Sequence, residues 1–209
     1  MQISSPIPSP DRTHIDRSVQ DAEAIVKTFA ITNGWHAAIA TPLFRNVEIY
    51  STQEQLWRRM LEINHLPATT KLPSDGLAAA NEKDLLLAVL PTEYARVRPE
   101  YARAPDAWTR LLAHELVHLL HVRIVEGDEN AMGPTWFFEA LAVIGSGQAI
   151  AQDLHFASVN EALAATQAGG RGSYARYGAV LRFFLTRASL NDLVKHAGRT
   201  DFETWLRKL

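Results

Sequence analysis

The sequence predicts an α+β fold in which strands occupy the first half of the chain and helices the second. Residues 46–50 alternate between apolar and polar side chains, and two short apolar runs follow at 76–80 and 84–90. From residue 106 onward, apolar side chains recur at helical spacing almost to the end. A length of 209 residues with 47% hydrophobic and 21% charged side chains suits one globular domain around a single core.

The N-terminal region is predicted to contain a lead-in followed by a helix. Residues 1–15 are rich in Pro and Ser, which predicts a disordered or extended lead-in. This segment lacks the cationic start and apolar core of a signal peptide, and this favours the cytoplasm. Residues 16–32 carry apolar side chains at helical spacing and are followed by Asn33 and Gly34, so we expect a helix that stops there.

A strand, a helix and a strand pair are predicted for the rest of the first half. The elements are, in order, a strand at 46–50, a helix from 51–54 to about 63, a Pro-containing loop at 66–75 and strands at 76–80 and 84–90. Ser51 and Glu54 have the spacing of a capping box, which marks the start of the helix. Because only the polar turn 81–83 joins the last two strands, we expect them to form an antiparallel pair.

Helices are predicted throughout the second half. They lie at 106–124, 135–147, 158–167, 173–188, 189–197 and 201–208. Asp106 is suited to cap the first of them, and the polar loop 126–134 separates the first from the second. We expect residues 16–209 to form one domain, with an α/β lobe at about 16–131, a helical lobe at about 132–209 and a cleft between the lobes.

The first of these helices carries the sequence His114-Glu115-Leu116-Val117-His118. Residues four apart in a helix lie one above the other, about 6 Å apart along the axis, so both imidazoles face the same side. Two imidazoles in this arrangement can converge on one zinc ion, and Glu115, about 100° round the helix, can reach a water on that ion. The spacing therefore predicts a zinc site at His114 and His118.

A catalytic zinc site has three protein ligands and one position for water, so a third ligand is needed. The second helix carries Glu139 within the largely apolar run from Trp136 to Ala142. A carboxylate in such surroundings is costly to bury unless it is paired or binds a cation. A helix–loop–helix that returns antiparallel would bring Glu139 opposite His114 and His118, and the loop of about nine residues is long enough for that return.

The composition excludes several classes of site and partner. Because there are no cysteines, the chain has no disulfide, no thiolate ligand and no cysteine nucleophile. A net charge of −2 gives no electrostatic reason to expect binding to nucleic acid or to an anionic membrane. No apolar run approaches the roughly 20 residues that span a bilayer. The oligomeric state is left open by the sequence.

The HExxH run and the segment from Pro134 to Ala142 together resemble the motifs of the gluzincin metallopeptidases, which include thermolysin and the zinc aminopeptidases. The resemblance is greatest to the small bacterial peptidase MA-like proteins. It extends over about 45–209 and is strongest over 108–142.

This resemblance implies a zincin-like active-site cleft and a set of roles for the motif residues. One zinc ion would be bound by His114, His118 and Glu139, and Glu115 would be the general base. The substrate would be a peptide or protein in extended conformation, paired to an edge strand of the sheet that precedes the zinc helix.

Two positions depart from the family pattern. Ala140 stands where a glycine usually follows the ligand Glu. Val143 stands where thermolysin-type enzymes have an Asp that orients the first His. The orienting partner of His114 is therefore expected to be a backbone carbonyl or a carboxylate from elsewhere in the chain.

Polarising a scissile carbonyl needs a hydrogen-bond donor besides zinc. Gluzincins commonly use a Tyr or His, and the segment from Ser173 onward resembles the helix after the ligand Glu in peptidase MA-like proteins. Tyr174 fits that register better than Tyr177, with packing as its alternative role. His121 lies two turns from His114, too far for the same ligand shell, so we expect a packing histidine with its ring nitrogens satisfied.

Two alternatives to a zinc-dependent peptide hydrolase stay open. One is a catalytically inactive gluzincin-fold module that retains zinc and binds a peptide. The other is a structural protein in which the HExxH run is accidental. Within the peptidase hypothesis, no Gly-x-Met-Glu-Asn-type segment precedes the zinc helix, and this favours an endopeptidase over an aminopeptidase.

Overall fold

A small mixed sheet is built from the segments that alternate or run apolar in the sequence. In the computed structural model, which describes residues 2–4, 9–73, 76–148, 154–167 and 173–209, the strands are β1 (Gln2–Ser4), β2 (Asn46–Tyr50), β3 (Ala79–Glu82) and β4 (Leu85–Val89). Their order in the sheet is β1-β2-β4-β3. The β1–β2 and β2–β4 pairs are parallel, whereas β3 and β4 form the predicted antiparallel pair. Strand β3 therefore lies at an edge of the sheet.

Helices make up most of the remaining described chain. They are α1 (Ser9–Thr32), α2 (Gln53–Ile63), α3 (Pro91–Val97), α4 (Ala107–Ile124), α5 (Thr135–Ser146), α6 (Val159–Gln167), α7 (Tyr174–Leu185), α8 (Leu190–Ala197) and α9 (Phe202–Leu206). Short 3-10 helices lie at His36–Ile39 and Glu129–Met132. The predicted α+β class is confirmed, and so is the run of helices that follows the last strand.

Helix α4 is largely buried in the core. It packs against α1 and α5 and contacts both β3 and β4. Leu112, Leu116 and Leu120 are fully buried, as expected of a helix that is apolar on nearly every face. Trp108 donates a hydrogen bond from its indole Nε1 to the carbonyl oxygen of Val89 over 2.8 Å. This bond fixes the start of α4 to the end of β4.

Helix α1 begins earlier than the sequence predicts. It starts at Ser9 rather than at residue 16, and so takes in part of the predicted lead-in 1–15. Pro10 is compatible with a first helical turn because the N–H group that it lacks would have no helical partner there. Ile15 is buried in the core, which gives the added turns an apolar contact.

The start of α2 differs by one residue from the predicted cap. Thr52, not Ser51, is the N-cap, and its hydroxyl accepts a hydrogen bond from the Gln55 N–H over 3.3 Å. The N–H of the first α2 residue donates to Glu93, a buried carboxylate on α3 that also pairs with Arg96. Helix α3 was not predicted, because seven residues are too few for a helical period to stand out.

The hairpin of β3 and β4 is shifted along the chain from its predicted position. Strand β3 begins at Ala79 rather than at 76, and it includes Asn81, which was expected in the turn 81–83. The bend falls instead at Lys83, whose φ of 53° lies in the left-handed region. Because of this shift, Asn81 lies on the edge strand beside α4.

His121 is buried without the hydrogen bonds that were expected of it. Its exposed fraction is 0%, and neither ring nitrogen has a hydrogen-bond partner among the described residues. Its ring packs edge-on against Phe137 on α5. Burial, with a smaller contribution from the charge on His118, lowers the pKa of His121 from about 6.5 to about 4. The prediction of a satisfied histidine is therefore wrong, although the packing role is confirmed.

We predict that His121 makes the protein lose stability at acidic pH. Between about pH 6.5 and pH 4 the unfolded state binds a proton that the native imidazole does not, so the free energy of unfolding falls as the pH falls. The difference between the two pKa values corresponds to about 3 kcal/mol. Between pH 7 and pH 4, the free energy of unfolding of His121→Leu should therefore fall by about 3 kcal/mol less than that of the parent. Urea unfolding of both proteins in the presence of a chelator measures this, and parallel pH profiles would contradict it.

Candidate metal centre

Helices α4 and α5 bring the three predicted ligands together. The Nε2 atoms of His114 and His118 lie 3.1 Å apart. One carboxylate oxygen of Glu139 lies 3.1 Å from Nε2 of His114 and 3.7 Å from Nε2 of His118. His114 and Glu139 are buried, and His118 is partly exposed. The helix–loop–helix return expected from the sequence thus places Glu139 opposite the two histidines.

The distances between these three ligand atoms are compatible with one shared metal ion. Three ligand atoms about 2.1 Å from one tetrahedral zinc ion lie about 3.4 Å from one another. The three pairs of donor atoms here are separated by 3.1, 3.1 and 3.7 Å. Two imidazole nitrogens and one carboxylate oxygen are also the donor types of catalytic zinc sites. This group can therefore hold a metal ion.

The electrostatics of the group keep Glu139 in its charged form. Burial by itself would raise the pKa of this carboxyl, but the adjacent imidazoles of His114 and His118 together hold the pKa well below its usual range. A buried carboxylate that stays charged is a ligand ready for a cation. The two imidazoles therefore explain why a Glu is tolerated on the apolar helix α5.

Gln148 is the orienting partner of His114. Its side-chain oxygen Oε1 lies 3.1 Å from Nδ1 of His114. When Nδ1–H donates to this oxygen, the lone pair on Nε2 points toward the ligand cluster, as a metal-bound histidine requires. The expectation of a backbone carbonyl or a carboxylate is therefore wrong, because the acceptor is a carboxamide just beyond the end of α5.

The end of α5 is built so that Gln148 reaches back to α4. Gly147 has a left-handed φ of 64°, and a Cβ there would stand 2.3 Å from a guanidinium nitrogen of Arg110. Arg110 donates to the carbonyl oxygens of Ser146 and Gly147 and pairs with Asp106 over 2.7 Å. Asp106 was expected to cap α4 with its side chain. It lies at the N-cap position, but its carboxylate holds Arg110 instead.

Glu115 faces the cavity and is held by the edge strand. The side-chain amide of Asn81 donates to the Glu115 carboxylate over 3.0 Å and to its main-chain carbonyl over 3.3 Å. The second carboxylate oxygen of Glu115 accepts no hydrogen bond from any described residue, and Glu115 lines the cavity. Sequence reasoning missed Asn81, because a polar residue in a predicted turn needs no further role.

Tyr174 and Tyr177 lie in different surroundings. The ring of Tyr174 stands 5.4 Å from the ring of His114, and the residue lines the cavity. Burial, together with the charges on Glu139 and Glu115, raises the pKa of Tyr174 far above its ordinary value, so its hydroxyl keeps its proton. Tyr177 is buried in the core and is not part of the cavity wall. Of the two tyrosines, the structure brings Tyr174 to the metal cluster.

The cluster opens into a cavity of 870 Å³. One part of the wall is formed by α4, and another part follows the chain that enters β3, from Gly76 to Asn81. Small side chains (Ala78, Ala79 and Ala80) line this wall. A groove that passes an edge strand with small side chains has room for an extended chain beside it.

No family model, curated protein or solved structure matches this chain. The resemblance to gluzincins therefore stays an expectation that rests on the motif residues. Within the described ranges, no helix combines the length and the apolar character needed to cross a bilayer.

We predict that Gln148 tightens zinc binding through His114. Gln148→Ala should raise the Kd for zinc by about 10- to 100-fold, because the imidazole loses the acceptor that fixes its ring and tautomer. Competition with a fluorescent zinc chelator measures the Kd. Gln148→Glu, which keeps an acceptor in place, should bind zinc at least as tightly as the parent. An unchanged Kd in Gln148→Ala, alongside lost binding in His118→Ala, would show that His114 does not depend on this contact.

Proposed function

We propose that this protein is a zinc-dependent metallopeptidase that cleaves extended peptide chains internally. The observation that carries the proposal is the convergence of His114, His118 and Glu139 on one point, with the Glu115 carboxylate facing the same cavity.

Zinc is the metal proposed because the donor set suits it. Two neutral imidazoles and one carboxylate make up the protein ligands of several catalytic zinc sites, and the chain offers no thiolate that would suit a softer ion. When bound here, zinc would supply Lewis acidity that polarises the substrate carbonyl and lowers the pKa of water. His114, with Gln148 behind it, and the charged Glu139 would hold it in place.

Glu115 is the proposed general base. It would take a proton from the attacking water and return that proton to the leaving amine. Asn81 occupies one carboxylate oxygen of Glu115, which fixes the rotamer and directs the other oxygen to the cavity. A base held in one orientation does not have to be ordered again in each turnover.

Tyr174 is the proposed donor to the developing oxyanion. Its raised pKa keeps the phenol protonated at neutral pH, which is the form that can donate a hydrogen bond. Its position against His114 places the side chain at the edge of the metal cluster. A donor held in a largely buried wall stabilises negative charge more strongly than one in water.

The substrate is proposed to lie along β3 as an additional strand. Among the described strands, β3 pairs only with β4, so its other edge can pair with a peptide backbone. The small side chains of Ala79 and Ala80 leave room for this peptide in the cavity. Such backbone pairing favours substrates in an extended conformation.

We predict that Glu115→Gln removes catalysis but not zinc. The change should lower kcat/KM by about 10²- to 10⁴-fold, because the amide cannot accept the proton of the water. Zinc content by elemental analysis should stay at one ion per chain. Cleavage of a mixed peptide library, followed by mass spectrometry with and without a chelator, measures activity. Glu126→Gln, the same change at an exposed position, is the matched control.

This experiment separates the proposal from its main alternative. A parent protein that binds zinc but cleaves no peptide in the library would instead support a zinc-retaining binding module. A variant Glu115→Gln that cleaves as fast as the parent would contradict the role of Glu115.

We predict that Tyr174 acts on kcat rather than on KM. Tyr174→Phe should lower kcat by about 10²-fold with little change in KM, because the hydrogen bond is made mainly in the transition state. Tyr177→Phe removes the same hydroxyl from a residue outside the cavity and should leave kcat within about twofold of the parent. Steady-state kinetics on one library-derived peptide compares the two. Equal kcat values for Tyr174→Phe and the parent would exclude this role.

A further inference from the structure

Arg98 is a partly buried cation in the wall of the metal cavity. It follows the last residue of α3, and its main-chain N–H is bonded to the Tyr94 carbonyl oxygen. Its guanidinium has no hydrogen bond or ion pair among the described residues. The nearby Arg96 differs, because it makes two hydrogen bonds to Glu93, of 2.6 and 2.8 Å. Arg98 thus presents its donors to the cavity.

Three tyrosines share the cavity wall with Arg98. Tyr94, Tyr101 and Tyr174 line the same cavity, and the positive charge of Arg98 acts to lower the pKa of each of them. The charge of the exposed Glu100 acts in the opposite sense on Tyr94 and Tyr101. Aromatic walls reduce the screening of a charge by water, so a cation here attracts an anion more strongly than one on the open surface.

Neither carboxylate of the metal centre is paired with Arg98. Glu139 lies against His114 and His118, and one oxygen of Glu115 accepts a hydrogen bond from Asn81. An anion that enters the cavity from solution would meet in Arg98 a cation whose five N–H donors are bonded to none of the described residues.

Arg98 lies within reach of a peptide whose reacting bond is at the metal cluster. One guanidinium nitrogen is 3.9 Å from the point where a Cβ on Gly76 would stand. Gly76 precedes Asn81, the partner of Glu115, by five residues along the cavity wall. A segment of this length spans at most about 17 Å. The charges of Arg98, Glu115 and Glu139 all act on the pKa of Tyr174, and these residues line the same cavity.

We propose that Arg98 is a subsite for a carboxylate of the peptide substrate, either an acidic side chain or the C-terminal carboxylate, held a few residues from the bond that is cleaved. This inference rests on the proposed function and adds a substrate class to it. A guanidinium suits the role because its planar fork binds both oxygens of a carboxylate at once.

Four peptides test the subsite. They share one sequence that the parent protein cleaves, and they differ in having Glu or Gln at one position and a free or amidated C-terminus. The measured quantity is the ratio of kcat/KM between each acidic peptide and its neutral counterpart. The Glu/Gln pair reports a side-chain carboxylate, and the acid/amide pair reports the terminal one.

The parent should prefer one acidic peptide by about tenfold or more, as expected for a charge-assisted hydrogen-bonded pair. In Arg98→Gln the ratio for that pair should fall to about one. Arg98→Lys keeps the charge but not the fork, and should give an intermediate ratio. Arg103→Gln removes an exposed arginine outside the cavity and should keep the ratio of the parent. Ratios near one in the parent, or an unchanged ratio in Arg98→Gln, would overturn the subsite.

Equilibrium binding distinguishes failure of the subsite from failure of the proposed function. The same peptides are titrated by calorimetry into zinc-loaded Glu115→Gln protein with Arg98 intact or changed to Gln. Selective binding of an acidic peptide that is lost with Arg98, in a chain that cleaves nothing, would support the subsite and reject the peptidase. Cleavage without any acidic preference in binding would reject the subsite alone. No binding of any peptide at millimolar concentration would reject both.

Discussion

The contact of the Glu139 carboxylate with His114 and His118 is the constraint on which the arrangement of α4 and α5 depends. An ionised carboxylate that is only 7% exposed costs several kcal/mol unless a partner compensates it. Both imidazoles come from α4, so the pairing fixes how α5 is rotated and shifted against α4. The same placement brings Gln148, just past the end of α5, to Nδ1 of His114.

The part of the cavity wall from Gly76 to Asn81 lies near groups of opposite charge at its two ends. Asn81 ties Glu115 to the edge strand, whereas Arg98 stands at the Gly76 end of the same wall without a carboxylate partner among the residues described. A peptide in the cavity would therefore meet two different binding groups. One is the metal centre, and the other is the guanidinium of Arg98. Backbone pairing with β3 would set the direction of the chain, and the two binding groups would set its position.

The sequence predicts helices and strands well where apolar side chains recur at a regular helical or strand spacing. Helices α4 and α5 and strand β2 lie within a residue or two of their predicted bounds, because the apolar repeats there are regular. The start of α1 was missed since Pro10 is as common in a lead-in as in a first helical turn. Helix α3 was missed since it is short, and Asn81 was assigned to a turn since polar residues usually mark one.

The sequence by itself determined which residues could form the metal centre. The spacing of His114 and His118 and the position of Glu115 follow from the pitch of one helix, and the apolar surroundings of Glu139 marked it as a carboxylate in need of a cation. The tertiary structure alone decided which groups support that centre. Gln148, Asn81 and Arg98 reach the cavity from distant parts of the chain, and the buried ring of His121 forms no hydrogen bond with the residues that the structure describes. Helical period is a short-range property of the backbone, whereas these contacts depend on how separate elements pack.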